Sequence, residues 1–252
     1  MDPTITLLEE LTLSTSPAIH HGFHDGWVLR ASGTDTRRAN SCTPLHASTL
    51  ALEGKITYVE GWYKRHGQPA MFRLNDASEP QLDAALANRG YVREVETRVL
   101  VLDLDTDLVE IPPLPPGAKI VERDDADGLD DWHHLKRSAD GLAEQDRVRQ
   151  ALWRGPQLNA SLKTLHGLAS TGMVRIESDH AGIFCMRTAE KARRKGHASR
   201  VLGYLLTWAQ AQGARRAFLQ VDAANVEAIA LYARFGFVPQ YTYWHRVALP
   251  RP

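Results

Sequence analysis

Apolar residues at Val201, Leu202, Leu205, Leu206 and Trp208 recur with a helical spacing, and Gly213 closes the run, so the pattern predicts a helix over 199–212. Ala217 to Val221 reads as a short buried strand. A second helix is expected from Asn225 to Phe235, with Ala228, Ile229, Leu231 and Tyr232 among its apolar positions and Gly236 as its stop. A closing strand follows over Tyr241 to Leu249. Upstream, Gly172 to Glu177 and Ala181 to Met186 run or alternate apolar on either side of the turn Ser178-Asp179-His180, which reads as a hairpin. Ala126 to Trp153 has a helical but more polar pattern, broken at Gly141, as expected of surface helices covering one edge of a sheet. Trp27 to Arg30 is an early strand.

The pattern also repeats. A shift of 146 positions lays Leu50–Val101 on Gly196–Val247 without a gap. Tyr58 falls on Tyr204, Trp62 on Trp208, Gly67 on Gly213 and Phe72 on Phe218. Asp76 falls on Asp222, Gly90 on Gly236 and Val92 on Val238. Both copies read as helix, glycine stop, apolar strand, second helix and closing strand. Between them Ile111-Pro-Pro-Leu-Pro-Pro-Gly-Ala118 holds four prolines, which neither a helix nor a central strand tolerates. The expected organisation is therefore a first copy over residues 1–105, a Pro-rich linker over 106–117 and a second copy over 118–252.

Composition narrows the class. Of the 252 residues, 43% are hydrophobic and 24% charged, which suits ordinary globular folding with a substantial core. Thirty Lys and Arg balance thirty Asp and Glu, so no global field points to nucleic acid or a membrane surface, and any basic site must be local. Two cysteines, Cys42 and Cys185, are too few for a disulfide framework or a structural zinc site, and no metal is expected. The start, MDPTITLLEELTL, is acidic where a signal peptide is basic, and no apolar run reaches membrane-spanning length. The expectation is a cytoplasmic protein, with no membrane or nucleic-acid partner; the oligomeric state is not readable.

The residues richest in chemistry are Met186-Arg-Thr-Ala-Glu-Lys-Ala-Arg-Arg-Lys-Gly-His-Ala198, which follow a strand and open a helix. A helix start presents backbone N–H groups without internal partners and the positive end of the dipole, so the turn before it can wrap an anion. Gly196 allows close backbone approach, Arg193, Arg194 and Lys195 add positive charge, and Ala198 keeps the first turn small. A diphosphate suits such a loop.

In this context Arg193-x-x-Gly196-x-Ala198 resembles the R/Q-x-x-G-x-G/A signature of the GNAT (Gcn5-related N-acetyltransferase) superfamily, and Ala230-Leu-Tyr-Ala-Arg-Phe-Gly-Phe237 is similar to its A-x-x-L-Y-x-x-x-G-F segment. The match covers about residues 118–250. It implies an α/β (α+β) fold of two GNAT-like lobes, each a mixed, mostly antiparallel sheet flanked by helices, with the C-terminal lobe complete. It further implies that acetyl-CoA is the co-substrate, that Cys185, Met186, Arg187 and Thr188 pair with its pantetheine arm, and that Arg193–Ala198, His197 included, hold its phosphates. Asn225 is implied as a further contact, and Tyr232 as the group that hydrogen-bonds the coenzyme sulfur and acts as general acid. The implied reaction is direct acetyl transfer to a primary amine of a small molecule, a protein lysine or an N-terminus.

The base is left open. A glutamate of the histone-modifying branch would fall on Ala181, so Glu177, His180 and a water chain stand as candidates; His133, His134 and Glu144 lie in the helical region that shapes the acceptor pocket in this fold. In the first copy Ala47, Leu50 and Leu52 replace Arg193, Gly196 and Ala198, while Glu79 replaces Asn225 and Leu86 replaces Tyr232. That copy should bind no coenzyme and should instead help to complete the acceptor cleft, with Arg37-Arg38-Ala-Asn40-Ser41 a surface turn that could reach substrate. Two other functions compete: a non-catalytic acyl-CoA-binding regulatory or scaffold protein, and a transferase of another acyl group.

Overall fold

The computed structural model describes residues 2–105, 111–123, 125–137 and 140–248. Residues 106–110 of the expected linker lie outside them. The elements are α1 (Pro3–Thr15), β1 (His20–His24), β2 (Trp27–Ala31), β3 (Thr43–Pro44), α2 (Leu52–Arg65), β4 (Met71–Asn75), α3 (Pro80–Asn88) and β5 (Tyr91–Asp103). Then come β6 (Lys119–Arg123), α4 (Asp125–Lys136), α5 (Asp140–Gln150), β7 (Gln157–Thr164), β8 (Gly167–Glu177) and β9 (His180–Thr188). The chain closes with α6 (His197–Ala211), β10 (Arg216–Asp222), α7 (Val226–Arg234) and β11 (Val238–Ala248). Mixed sheets flanked by helices are the fold class that the sequence implied.

The shift of 146 positions carries α3 onto the bounds of α7 and α2 onto α6 to within one residue. Gly67 and Gly213, the stops of α2 and α6, both have positive φ, as do Gly90 and Gly236 after α3 and α7. A Cβ disfavours that left-handed conformation, so these four positions keep glycine in both copies.

The chain forms two compact units, which are not linear halves. The first holds Met1–Val99 with Val221–Ala224 and Gln240–Pro252; the second holds Leu100–Gln220 with Asn225–Pro239. In the first, β11 pairs antiparallel with β4, and β1, β2 and β3 make a small antiparallel sheet. Its core gathers Trp27, Leu29, Ile56, Val59, Phe72, Leu74, Leu82 and Leu86. In the second, the order β10-β9-β8-β7-β6 joins β9 and β10 in parallel and the remaining neighbours antiparallel. Leu158, Leu162, Val174 and Ile176 are buried, as are Val201, Leu202, Leu205 and Leu206 of α6, which packs on β7, β8 and β9. The polar positions Asn159, Ser161, Thr171 and Arg175 alternate with the apolar ones of β7 and β8 and are buried as well, because α4 lies on these strands too. No helix among the described residues is long and apolar enough to cross a membrane.

Candidate functional site

Three local features of the second unit converge on the end of β9. The first is a wedge. Strands β9 and β10 pair in parallel from His180 and Arg216 to Ile183 and Leu219, and there the shared ladder ends although both strands continue. The edge of β9 that faces away from β8 thus opens, and an extended ligand with amide groups can lie along it as a strand would.

The second feature is a bulge. On the other side of β9 the register steps from Thr171–Arg187 to Met173–Phe184, so Cys185 and Met186 together oppose the single residue Gly172. Cys185 takes φ +54° to accommodate the extra residue. Gly172 leaves room for the packing here: a Cβ would press on Met186 Sδ and stand 2.9 Å from Leu205 of α6 unless those side chains shifted. The bulge is pinned by its neighbours, since Ser170 Oγ donates to the Arg187 carbonyl at 2.9 Å.

The third is the loop from β9 to α6. A 3₁₀ turn, Glu190–Ala192, leads through Arg194 at φ +58° to Gly196 at φ +72°, the N-cap of α6, where no side chain accepts the first-turn N–H groups. Those donors and the helix dipole are free for an anion. Arg200 holds the loop: its Nη1 donates to the Lys195 carbonyl and its Nε to the Pro113 carbonyl, both at 3.0 Å.

Beside the loop lies a cavity of about 900 Å³. Arg187, Thr188, Arg193, Lys195 and His197 line it. The opposite wall is made by His134 to Arg137 at the end of α4 and by Thr164 to Ala169 of the β7–β8 turn, and of these residues only His134 stood out in the sequence. Lys136, Arg137, Arg187, Lys191, Arg193 and Lys195 line the cavity with one carboxylate, Glu190, so a chain without net charge concentrates positive potential here. Arg187 Nε donates to the Leu135 carbonyl at 3.2 Å and ties the two walls together. His197 is 6% exposed with Nδ1 unpartnered; burial, then Arg200 and Lys195, hold its pKa below the ordinary histidine value.

Asn225 and Tyr232 frame α7. The Asn225 side-chain oxygen accepts the Ala228 amide at 3.1 Å, so the residue caps the helix while its NH₂ stays available to a ligand. Tyr232 is buried edge-on against Phe237, and burial pushes its phenol up to about 12.

The base candidates are not gathered with these. Glu177 pairs with His180 at the far end of the hairpin, five residues and therefore about 17 Å along the strand from Cys185. His180 is buried against Asp179 at 2.7 Å. The histidine pair splits as neighbours on a helix must: His134 reaches the cavity, whereas His133 is buried 3.4 Å from Asp146. Glu144 is paired with Arg147 at 3.0 Å. In the first unit Arg37–Ala39 forms a 3₁₀ turn, and the Asn40 side chain accepts the amides of Ser32 and Gly33.

Residues 3–246 match the family model described as probable histone acetyltransferase Rv0428c C-terminal. The uncharacterized N-acetyltransferase YobR of Bacillus subtilis is 26% identical over 96% of this chain and 98% of its own. The probable histone acetyltransferase Rv0428c of Mycobacterium tuberculosis is 26% identical over 90% of this chain and 68% of its own. Among solved structures, a GCN5-related N-acetyltransferase from Kribbella flavida superposes with a TM-score of 0.74 at 14% identity, covering 98% of this chain and 96% of that one. A tandem GNAT protein from the clavulanic acid biosynthesis pathway gives 0.61 at 17%, over 84% and 76%.

Proposed function

The chain belongs to the Rv0428c C-terminal acetyltransferase family of the GNAT superfamily, and from this premise we propose that it moves the acetyl group of acetyl-CoA to a primary amine in a ternary complex. The observation that carries the reading is the coincidence, in one unit, of a strand wedge ending at Ile183 and Leu219 with an uncapped glycine-started helix and a cationic cavity.

The residues present fit such a donor. The open edge of β9 over 184–188 suits a pantetheine arm, which is extended and carries amides. The α6 N-terminus, Arg193, Arg194, Lys195 and His197 suit its phosphates, and Lys136 and Arg137 extend the positive wall. Asn225 offers its NH₂ beside the same unit's second helix. When bound, the thioester supplies an activated acyl group. Main-chain N–H groups at the Cys185–Met186 bulge are placed to polarise its carbonyl. Tyr232, kept protonated by burial, donates to the departing sulfur. Of the candidates for the base, the hairpin geometry favours water over Glu177 and His180, which sit at its far end. The acceptor is an amine of a small molecule or a peptide.

The test is transfer itself: the full chain is incubated with acetyl-CoA and a panel of small amines, lysine peptides and aminoglycosides, and free coenzyme thiol is followed. Amine-dependent thiol release supports the reading. Tight acetyl-CoA binding with no release on any amine favours a regulatory protein instead, and faster release from a different acyl-CoA reassigns the acyl group.

A further inference from the structure

The Cys185–Met186 bulge of the second unit has two faces, and they differ in what they admit. On the α6 side Met186 Sδ, Leu205 Cδ1 and Val201 Cγ1 converge over Gly172, where an added Cβ would stand within 3.1 Å of each. Val201 and Leu205 are fully buried, so that side is filled. Successive strand residues point to opposite faces, and Arg187, the next residue of β9, turns to the α4 side, where its Nε donates to the Leu135 carbonyl at 3.2 Å. The cavity reaches this side, lined by Arg187 and by His134 to Arg137. With the donor's arm in the wedge and α6 closing the other face, an amine meets a carbonyl held at the bulge from the α4 side. Its path runs past Arg187.

The charge along that path is positive. Arg187 Nη1 and Nη2 have no protein partner among the described residues, and Lys136 and Arg137 stand on the same wall. The acids of α4 are taken up elsewhere: Asp127 and Asp131 pair with Arg123, and Asp130 with Arg147. Glu190 is the one carboxylate among the described residues that line the cavity. Such a wall repels a polycation and attracts an anionic group.

Building on the acetyltransferase reading, we propose that the acceptor is a small amine that also carries an acidic group, carboxylate or phosphate, and that Arg187 selects it. The bond to Leu135 fixes the guanidinium by its Nε and leaves the Nη1/Nη2 end to grip two oxygens of the acid. The transfer itself is unchanged. The amine nitrogen, having given one proton to water, bonds the acetyl carbon, and the carbon–sulfur bond breaks. The sulfur takes a proton from Tyr232, and the proton that the nitrogen then sheds restores the phenol by way of water.

The experiment follows thiol release from acetyl-CoA by the full chain with two matched pairs of amines, 4-aminobutyrate against 4-aminobutanamide and phosphoethanolamine against ethanolamine, and with a basic lysine peptide. Each acid should exceed its neutral partner in kcat/KM by about tenfold or more, chiefly through KM, and the margin should shrink as salt is added. The pair with the wider margin identifies the acidic group. Arg187→Gln should bring the ratio of acid to neutral partner within about twofold of unity, and Arg187→Lys, which keeps the charge without the fork, should fall between. Damage to folding or to the α4 contact lowers both members of a pair alike and leaves their ratio untouched. A wild-type ratio in Arg187→Gln, or a loss carried by the KM for acetyl-CoA alone, would therefore overturn the role of Arg187. Neutral amines or the lysine peptide matching the acids in the wild-type chain would overturn the proposal while the transferase reading stands. If no amine releases thiol, that reading fails, and calorimetry of 4-aminobutyrate against its amide on the coenzyme-loaded chain decides the subsite: tighter binding of the acid supports it, and equal affinity overturns it.

Discussion

Ile183 and Leu219 are the last residues at which β9 and β10 share a ladder. Everything proposed for the donor follows from what that ending leaves open. If an extended amide-bearing arm lies along β9, acetyl-CoA should slow amide hydrogen exchange over 184–188 by about tenfold or more, while 180–183, already paired, change little. Protection confined to helices, with 184–188 untouched, would place the donor elsewhere.

Tyr232 has burial as the cause of its raised pKa, and its phenol stays protonated far above neutrality. Tyr232→Phe should lower kcat on the order of a hundredfold while leaving acetyl-CoA affinity within about twofold, as loss of a proton donor does. Wild-type kcat/KM should show no falling limb from this phenol below about pH 10. Steady-state kinetics and a direct binding titration check both statements; unchanged kcat removes Tyr232 from the chemistry.

Asn225 caps α7, and the proposed function adds a contact with the donor. Asn225→Ala should lose the cap of α7, about 1 kcal/mol by urea unfolding, whereas Asn225→Asp retains an acceptor for the Ala228 amide and should stay within about 0.5 kcal/mol of wild type. Both should bind acetyl-CoA more weakly, since neither keeps the NH₂. Full affinity in Asn225→Asp would reduce the residue to a cap.

His245 makes stability depend on pH. Burial, then the charges of Arg73, Arg37 and Arg38, depress its folded pKa from 6.5 to about 3, so between these values the unfolded chain binds the extra proton. The histidine's contribution is therefore complete above about pH 6.5 and is lost as pH falls toward 3, with a slope of at most about 1.4 kcal/mol per pH unit. Urea unfolding should show this slope, and His245→Gln should flatten it.

The duplication was legible in the sequence because glycine stops, helix lengths and closing strands are all local features; Gly67, Gly90, Gly213 and Gly236 mark the same turns twice. The glycine-started turn before α6 was legible for the same reason. Gly141 misled: it sits in the first turn of α5, where glycine costs little, and the chain instead turns after α4 at Arg137, φ +58°. Strand β7 was missed because Asn159 and Ser161 look like solvent positions, whereas α4 covers their face. Apart from His134, the far cavity wall was not legible. His134, Lys136, Arg137 and Leu165 come near Arg193 only through the packing of α4 and the β7–β8 turn, and sequence spacing does not record that. The hairpin likewise separates Glu177 from Cys185, though both had been read as parts of one site.

The proposed function requires one acyl-CoA site per chain, built by the second unit. Titration calorimetry with acetyl-CoA, on wild type and Arg193→Ala/Lys195→Ala, measures this. One mole should bind per mole of chain, and affinity should fall on the order of tenfold or more in the double variant, with a weaker dependence on salt. Two moles bound, or one mole bound with full affinity after both cations are removed, would contradict it.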